Sequence, residues 1–390
     1  MQPPVTAIVV GGELNGLGVV RSLARANVPV IVVDSSASNA ALWSRHARTH
    51  RVDSFEGRAF ADDLAGLAKS LGHRPVLLLT DEFAVHSVSQ HRDMLAPHLR
   101  FRLPPDATVK LLSDKALFHE FAAKNGFCVP NTAVLDTVKD LERLRGLRYP
   151  AVVKPTDKRR VLTGAAERAL RVGNPGEAIE AARRMLRQPG AIVVQEWIEG
   201  PESNIYFTLF YRGGAVPATL FTGQKLLCFP RDVGSTAVCI AAPQARAELE
   251  ATTMAFAERA GFDGFGSMEY KWDDARKAFF MIEPTVGRTD WQEEIATLCG
   301  VNIPLAAYRH ETGLPPEPVR VPDASVAWRS SMAQRPPAHL LPLNARMHDG
   351  YFRWGDPMPA LAYYGLGGAP RRLFERCVNR KNARPQMAKQ

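Results

Sequence analysis

The sequence predicts an α/β fold, and three observations predict it. Residues 5–34 read as strand, helix, strand: VTAIVV, a helical stretch over 14–26, then VPVIVVD. Strand and helix patterns go on alternating to about residue 310. A chain of 390 residues, 46% hydrophobic and 23% charged, can bury large cores and divides naturally into two or three domains.

The first unit is expected over residues 1–108. Gly11, Gly12, Gly16 and Gly18, with Asp34 closing the second strand, invite a dinucleotide-binding reading, and hence a Rossmann oxidoreductase. Their spacing is not Gly-x-Gly-x-x-Gly, however, and Glu13 sets a negative charge where a pyrophosphate would approach. A tight strand-to-helix turn in a parallel sheet is the better reading. PVLLLT at 75–80 predicts another strand and 82–95 a helix carrying His86 and His91. His46 and His50 fall in a polar connector, and none of these histidines has metal-ligand spacing.

A new unit begins at Ser113. SDKALFHEFAAKNG predicts an amphipathic helix capped by Ser113 or Asp114 and stopped at Gly126. CVPNTAVL reads as extended, 138–144 as a helix, and 175–187 as a helix opened by a proline and an acidic first turn. SNIYFTLFYR and AVPATLFTGQKLLCF predict strands, with Lys225 and Arg231 near a loop, and a helix over 244–260 leads into two final strands.

The residues that carry chemistry lie between Tyr149 and Gly287. Lys154 leaves the apolar strand AVV, so its ammonium sits on a rigid element, where a triphosphate needs a fixed cation. The polar loop at 156–164 is a natural phosphate cover. The connector VVQEWIEGPE at 193–202 offers strand backbone for a flat base and an acidic acceptor for ribose hydroxyls. Glu269 in GSMEYKW and Glu283 in FFMIEPT flank an Asp-Asp-Ala turn, like a hairpin, and antiparallel pairing would set the two carboxylates side by side. Magnesium takes oxygen ligands and one or two protein carboxylates, which this pair supplies. Taken singly, a strand-end lysine, a Gly-Pro turn and a strand glutamate are ordinary surface features. Their order in one stretch is what points to ATP.

That order resembles the ATP-grasp superfamily, and within it the carboxylate-amine ligases, over roughly the first 310 residues. The resemblance implies a Rossmann-like N-terminal domain followed by a two-lobed ATP-grasp nucleotide domain over 109–315, hinged near 195–202. It implies phosphate contacts from Lys115 and Lys154, adenine contacts at Gln195, Glu196 and Ile198, a ribose contact at Glu202, and magnesium on Glu269 and Glu283. Where the family pattern has Asn, this sequence has Thr285, a weaker oxygen ligand, and the family arginine falls one residue late, at Arg288. Arg288 is then expected to hold the substrate carboxylate and later the oxyanion. From their place near a loop, Lys225 or Arg231 could set a cation over the reacting phosphate or the substrate carboxylate, or be a solvated surface charge, with Lys225 preferred for the phosphate. The implied cofactors are ATP and Mg2+. The implied reaction joins a small-molecule, peptide or saccharide carboxylate to an amine through an acyl phosphate. The rival is a nucleotide-binding module without ligase chemistry, which Thr285 favours.

Residues 316–390 read as a Pro-rich, basic extension. Arg371, Arg372, Arg376, Arg380, Lys381, Arg384 and Lys389 face only Glu375, a solvated tail or an attraction to an anionic partner. No recognition motif accompanies the net charge of +9, so nucleic acid is not expected. Five cysteines far apart, without Cys-x-x-Cys spacing, argue against disulfides and zinc. No signal-like or membrane-length apolar run is present, so a cytoplasmic protein is expected, with a homodimer as the default assembly.

Overall fold

Short apolar runs that a water-facing strand could not tolerate build the first sheet. In the computed structural model, which describes residues 4–156, 169–214, 216–231, 234–318 and 320–366, β1 (Ala7–Val10), β2 (Val30–Asp34), β3 (Ala47–Arg51) and β4 (Val76–Leu79) pair in parallel in the order β3-β2-β1-β4. Ala7 and Val9 pack against Leu14, Leu17 and Val20, while Ile8 and Val10 pack against Phe60 and Leu64 on the other face. Burial on both faces is what a parallel sheet demands. The strand β3, expected as polar connector, has the half-exposed sequence ARTHR because it is the sheet edge. The expected helix over 82–95 divides at His91 into Glu82–Gln90 and Arg92–Leu95.

The glycine turn behaves as the spacing predicts. Gly11 takes φ +97, and the Asp34 carboxylate accepts from the Gly12 N–H at 2.5 Å and from Asn39 Nδ2 at 2.9 Å. Asp34 is thus committed to its own loop, as an acid reserved for a ribose would not be.

The second sheet is antiparallel, with β5 (Thr132–Leu135), β6 (Ala151–Pro155), β7 (Leu170–Val172) and β8 (Ile192–Glu196) in the order β5-β8-β6-β7. Ala151, Val153, Ile192 and Val194 point into a core with Ala178, Ala182 and Met185 of the Pro175–Met185 helix. Alternation therefore turns Lys154 and Gln195 to the opposite face. The helix expected over 138–144 is a 3-10 stretch, Val138–Gly146, with a Thr137–Asp140 capping box. Asp114, not Ser113, caps the Lys115–Lys124 helix, accepting from Ala116 and Leu117 at 2.8 and 3.0 Å.

The third sheet contains β9 (Ile205–Gly213), β10 (Val216–Phe229), β11 (Ser235–Ala241), β12 (Gly264–Asp273), β13 (Ala278–Val286), β14 (Val326–Arg329) and β15 (Arg346–Asp349), in the order β13-β12-β9-β10-β11-β14-β15. Met268, Tyr270 and Met281 pack against Leu249 and Phe256 of the Arg246–Arg259 helix. Ser267, Glu269 and Lys271 consequently face the other way.

The Pro-rich region is not wholly irregular, as its composition predicts: β14 pairs with β11, and β15 with β14. It also reaches back to the first sheet. The buried Arg21 donates to Asp356 at 3.0 Å, to Gly350 O at 2.8 Å and to Tyr351 O at 2.7 Å. Among the described residues no helix is long and apolar enough to cross a membrane. The seven tail cations, and the phosphate-cover loop beyond Thr156, lie outside the described residues.

Candidate functional site

The predicted hairpin forms, with Glu269 and Glu283 directly opposite each other in the β12–β13 register. Two adjacent carboxylates repel, and each is compensated by a lysine from another element. Lys225 pairs with Glu269, and Lys115 Nζ lies 3.6 Å from Glu283 Oε1. Lys225 does not stand near a loop, as the sequence implies; it is buried within β10. Burial alone would lower its pKa, but the Glu269 charge outweighs that and holds the ammonium above the ordinary lysine value. Thr285 lies opposite Ser267, two residues along the same face as Glu283.

Lys154 comes from the facing sheet. Burial, with the Lys115 charge, pushes its pKa down to about 7, against the pull of Glu269. Its Nζ donates to Gln195 Oε1 at 2.9 Å, so the Gln195 side chain is engaged inside the protein. The Glu196 carboxylate is likewise committed, lying 3.0 Å from Arg276 and accepting from the Asn131 N–H at 3.2 Å. What this connector can offer a base is therefore its backbone at the buried Ile198, since the Trp197 N–H already donates to Pro150 O at 2.8 Å, and not these two side chains. Glu202 accepts from the Cys228 N–H at 3.1 Å, which ties it to the end of β10.

Arg288 is held at the first sheet's side, donating to Glu82 at 3.3 Å and to Thr289 O at 3.1 Å. Lys115, Lys154, Lys225, Glu269 and Glu283 thus interact as one cluster, with Thr285 beside it. Glu196, Ile198 and Glu202 follow along the connector, and Arg288 sits where the N-terminal helix Glu82–Gln90 arrives.

Sequence reasoning missed three side chains. The buried Lys271 donates to Gly200 O and Pro201 O, at 3.1 and 2.6 Å, and pins the connector to β12. Its position two residues after Glu269, on the same face, was the available signal. His119 bonds Gln195 through its ring. Glu293 is buried, and its Oε1 has no hydrogen-bond partner among the described residues.

Burial, with the Asp290 charge, pushes the Glu293 carboxyl up to about 8. Between about pH 4.5 and about 8 the folded chain then holds a proton that the unfolded chain has released, so this group's contribution to stability falls as pH rises through that window. Replacing Glu293 by glutamine should remove this slope. In chemical unfolding at several pH values, the gain over the parent should be largest at the alkaline end; an equal gain at every pH would show that the carboxyl does not titrate there.

The chain matches no protein-family model and no curated protein by sequence. Its fold is similar to solved structures. N5-carboxyaminoimidazole synthetase from Staphylococcus aureus superposes with TM-score 0.63 at 14% identity, over 81% of this chain and 79% of that one. The biotin carboxylase domain dimer of the Hydrogenobacter thermophilus 2-oxoglutarate carboxylase, solved with MgADP, ADP and bicarbonate, gives 0.61 at 16% identity, over 83% and 72%. Biotin carboxylase from Campylobacter jejuni, in a β-γ-ATP complex, gives 0.63 at 14%, over 80% and 72%. The likeness is one of fold: the three sheets in this arrangement are the ATP-grasp fold of these structures.

Proposed function

We propose that this chain is an ATP- and magnesium-dependent carboxylate-amine ligase that activates a carboxylate as an acyl phosphate. The observation that carries the reading is the register pair Glu269 and Glu283, each compensated by a lysine, with Lys154 interacting from the facing sheet. The nucleotide complexes of the similar structures support ATP and magnesium as its cofactors.

The residues fit a magnesium ion. Among the described residues no group of three or more His, Cys, Asp or Glu gathers to hold a metal by protein alone. A pair of carboxylates is, however, what magnesium takes when phosphate and water complete its shell. Glu269 and Glu283 would hold it, with Thr285 beside them; bound there, the ion neutralises charge on the phosphate oxygens.

Phosphoryl transfer asks the protein for position and charge. Lys115 and Lys154 take the phosphate oxygens, and an arriving triphosphate restores the full ammonium of Lys154, whose pKa in the free chain is about 7. Arg288 exchanges Glu82 for the substrate carboxylate. A carboxylate oxygen attacks the γ-phosphorus, ADP leaves, and the carbonyl becomes electrophilic. The amine nitrogen then adds to that carbon, Arg288 holds the oxyanion, and inorganic phosphate departs as the nitrogen loses its proton.

The test is to incubate the protein with Mg-ATP and hydroxylamine over a panel of amino acids, peptides and sugar acids, reading hydroxamate and ADP together. Both products with one class of acid establish the chemistry. Thermal protection by Mg-ATP without either product across the panel would favour the binding module. Lys154→Met should weaken Mg-ATP binding by about 1.5 to 3 kcal/mol, the worth of a hydrogen bond to a charged group. Unchanged affinity by titration calorimetry would remove Lys154 from the phosphate site.

A further inference from the structure

We propose that His119 is a positioning residue: through the Gln195 amide it fixes the Lys154 ammonium in the place where the nucleotide's phosphates are received. The inference rests on the nucleotide reading above and adds to it a residue that does not itself reach the nucleotide.

The argument begins with the amide. A carboxamide turned end over end keeps its shape, so only its partners choose its orientation. Lys154 Nζ has only hydrogens to give, and it lies 2.9 Å from Gln195 Oε1. The Nε2 group then points the other way, to Thr132 Oγ1 at 3.2 Å and to the His119 ring, 2.5 Å from its Nε2 and 3.4 Å from its Nδ1. For that contact to be a hydrogen bond, His119 Nε2 must accept, which requires a neutral ring carrying its proton on Nδ1.

The surroundings keep the ring neutral. His119 is 3% exposed; burial first, then the charges of Lys154 and Lys115, push its pKa down to about 3. The ring's bond to the backbone at Ile282 raises its pKa, as donation to a carbonyl does. Ile282 lies on β13 next to Glu283. One neutral ring therefore ties together the Lys115–Lys124 helix, the β8 end of the connector and the metal-binding hairpin. Without its acceptor, the amide can turn its NH2 toward the ammonium, setting donor against donor. The groups acting on Lys154 are Lys115, Glu269, His119 and Gln195.

A cavity of about 730 Å³, lined by His119, Ala116, Val129, Thr132 and Val134, adjoins the ring and makes a discriminating experiment possible. In His119→Gly, the vacated space opens on this cavity. Imidazole has one donor and one acceptor nitrogen; pyrrole has nearly the same shape and no acceptor. Two readouts apply to the full chain: the Mg-ATP dissociation constant, and the rate at which Lys154 is acylated near neutral pH without nucleotide, read on its peptide by mass spectrometry. In His119→Gly and in His119→Phe, acylation should rise severalfold as the neutral amine is favoured, and the dissociation constant should rise about tenfold. Imidazole should reverse both changes in His119→Gly, and pyrrole neither. Gln195→Leu should reproduce them, and adding His119→Phe to it should change nothing more, which keeps the test decisive should His119→Phe alone fold poorly. Equal rescue by pyrrole, or unchanged acylation in a folded variant, overturns the proposal. If the parent chain fails to bind Mg-ATP, the nucleotide reading falls, while the acylation arm still decides the role of His119.

Discussion

Glu283→Gln should give a folded protein whose magnesium-dependent ADP release is lower by at least about a hundredfold. Glutamine keeps the size of the side chain and still presents a carbonyl to Lys115, 3.6 Å away in the parent, so the fold loses little. What disappears is one of the two negative charges that sit opposite each other on β12 and β13. A weakened magnesium site shows as a rightward shift in the metal titration before activity is lost, and melting curves with and without Mg-ATP separate this from misfolding. Turnover with the parent's magnesium dependence would take Glu283 out of the metal site.

Lys225→Met is expected to act mainly on stability. Lys225 has 6% of its side-chain surface exposed, and its partner Glu269 has 29%. Removing one member of a buried ion pair commonly costs 3 to 5 kcal/mol, because the survivor stays desolvated. With Glu269 partly hydrated, the loss belongs at the lower end, about 3 kcal/mol. Urea unfolding measures it. The double variant Lys225→Met/Glu269→Gln should recover much of that loss while remaining inactive. If the single and double variants are equally unstable, the cost lies in packing within β10 and not in the stranded carboxylate.

The sequence was most legible where local pattern and chemistry coincide. YKWDDARKAFFMIE alternates around an acidic turn, so the hairpin is readable from the sequence, but an unbroken register would set Glu269 opposite Ile282, and it is the irregularity between Glu269 and Tyr270 that brings Glu283 opposite it. Lys154 at the end of an apolar strand was equally plain. Less was readable where a residue's role depends on distant chain. The ARTHR strand carries no apolar signal because it is an edge, and β14 and β15 are short segments that pair with each other and, through β14, with β11 about 85 residues or more upstream. His119 looks like any polar position on an amphipathic helix, yet its ring meets Gln195, 76 residues later. Gln195 and Glu196 fell correctly on the connector, but sequence gives no means of seeing that Lys154 and Arg276 already occupy their side chains.

The Arg21 anchor has a consequence for how the chain comes into being. Its carboxylate partner Asp356 lies 335 residues downstream. A ribosome adding about 10 residues per second delivers that partner roughly half a minute after Arg21 has emerged. Through that interval the first sheet can assemble, but the guanidinium that the Leu14–Ala24 helix will bury lacks its direct ion-pair partner, with the Glu294 charge alone arriving earlier. The bonds that bury Arg21 are therefore completed late although its helix is synthesised first. A chain cut before Asp356 should display this as protease sensitivity around Arg21, even with every residue of the lysine–glutamate cluster present.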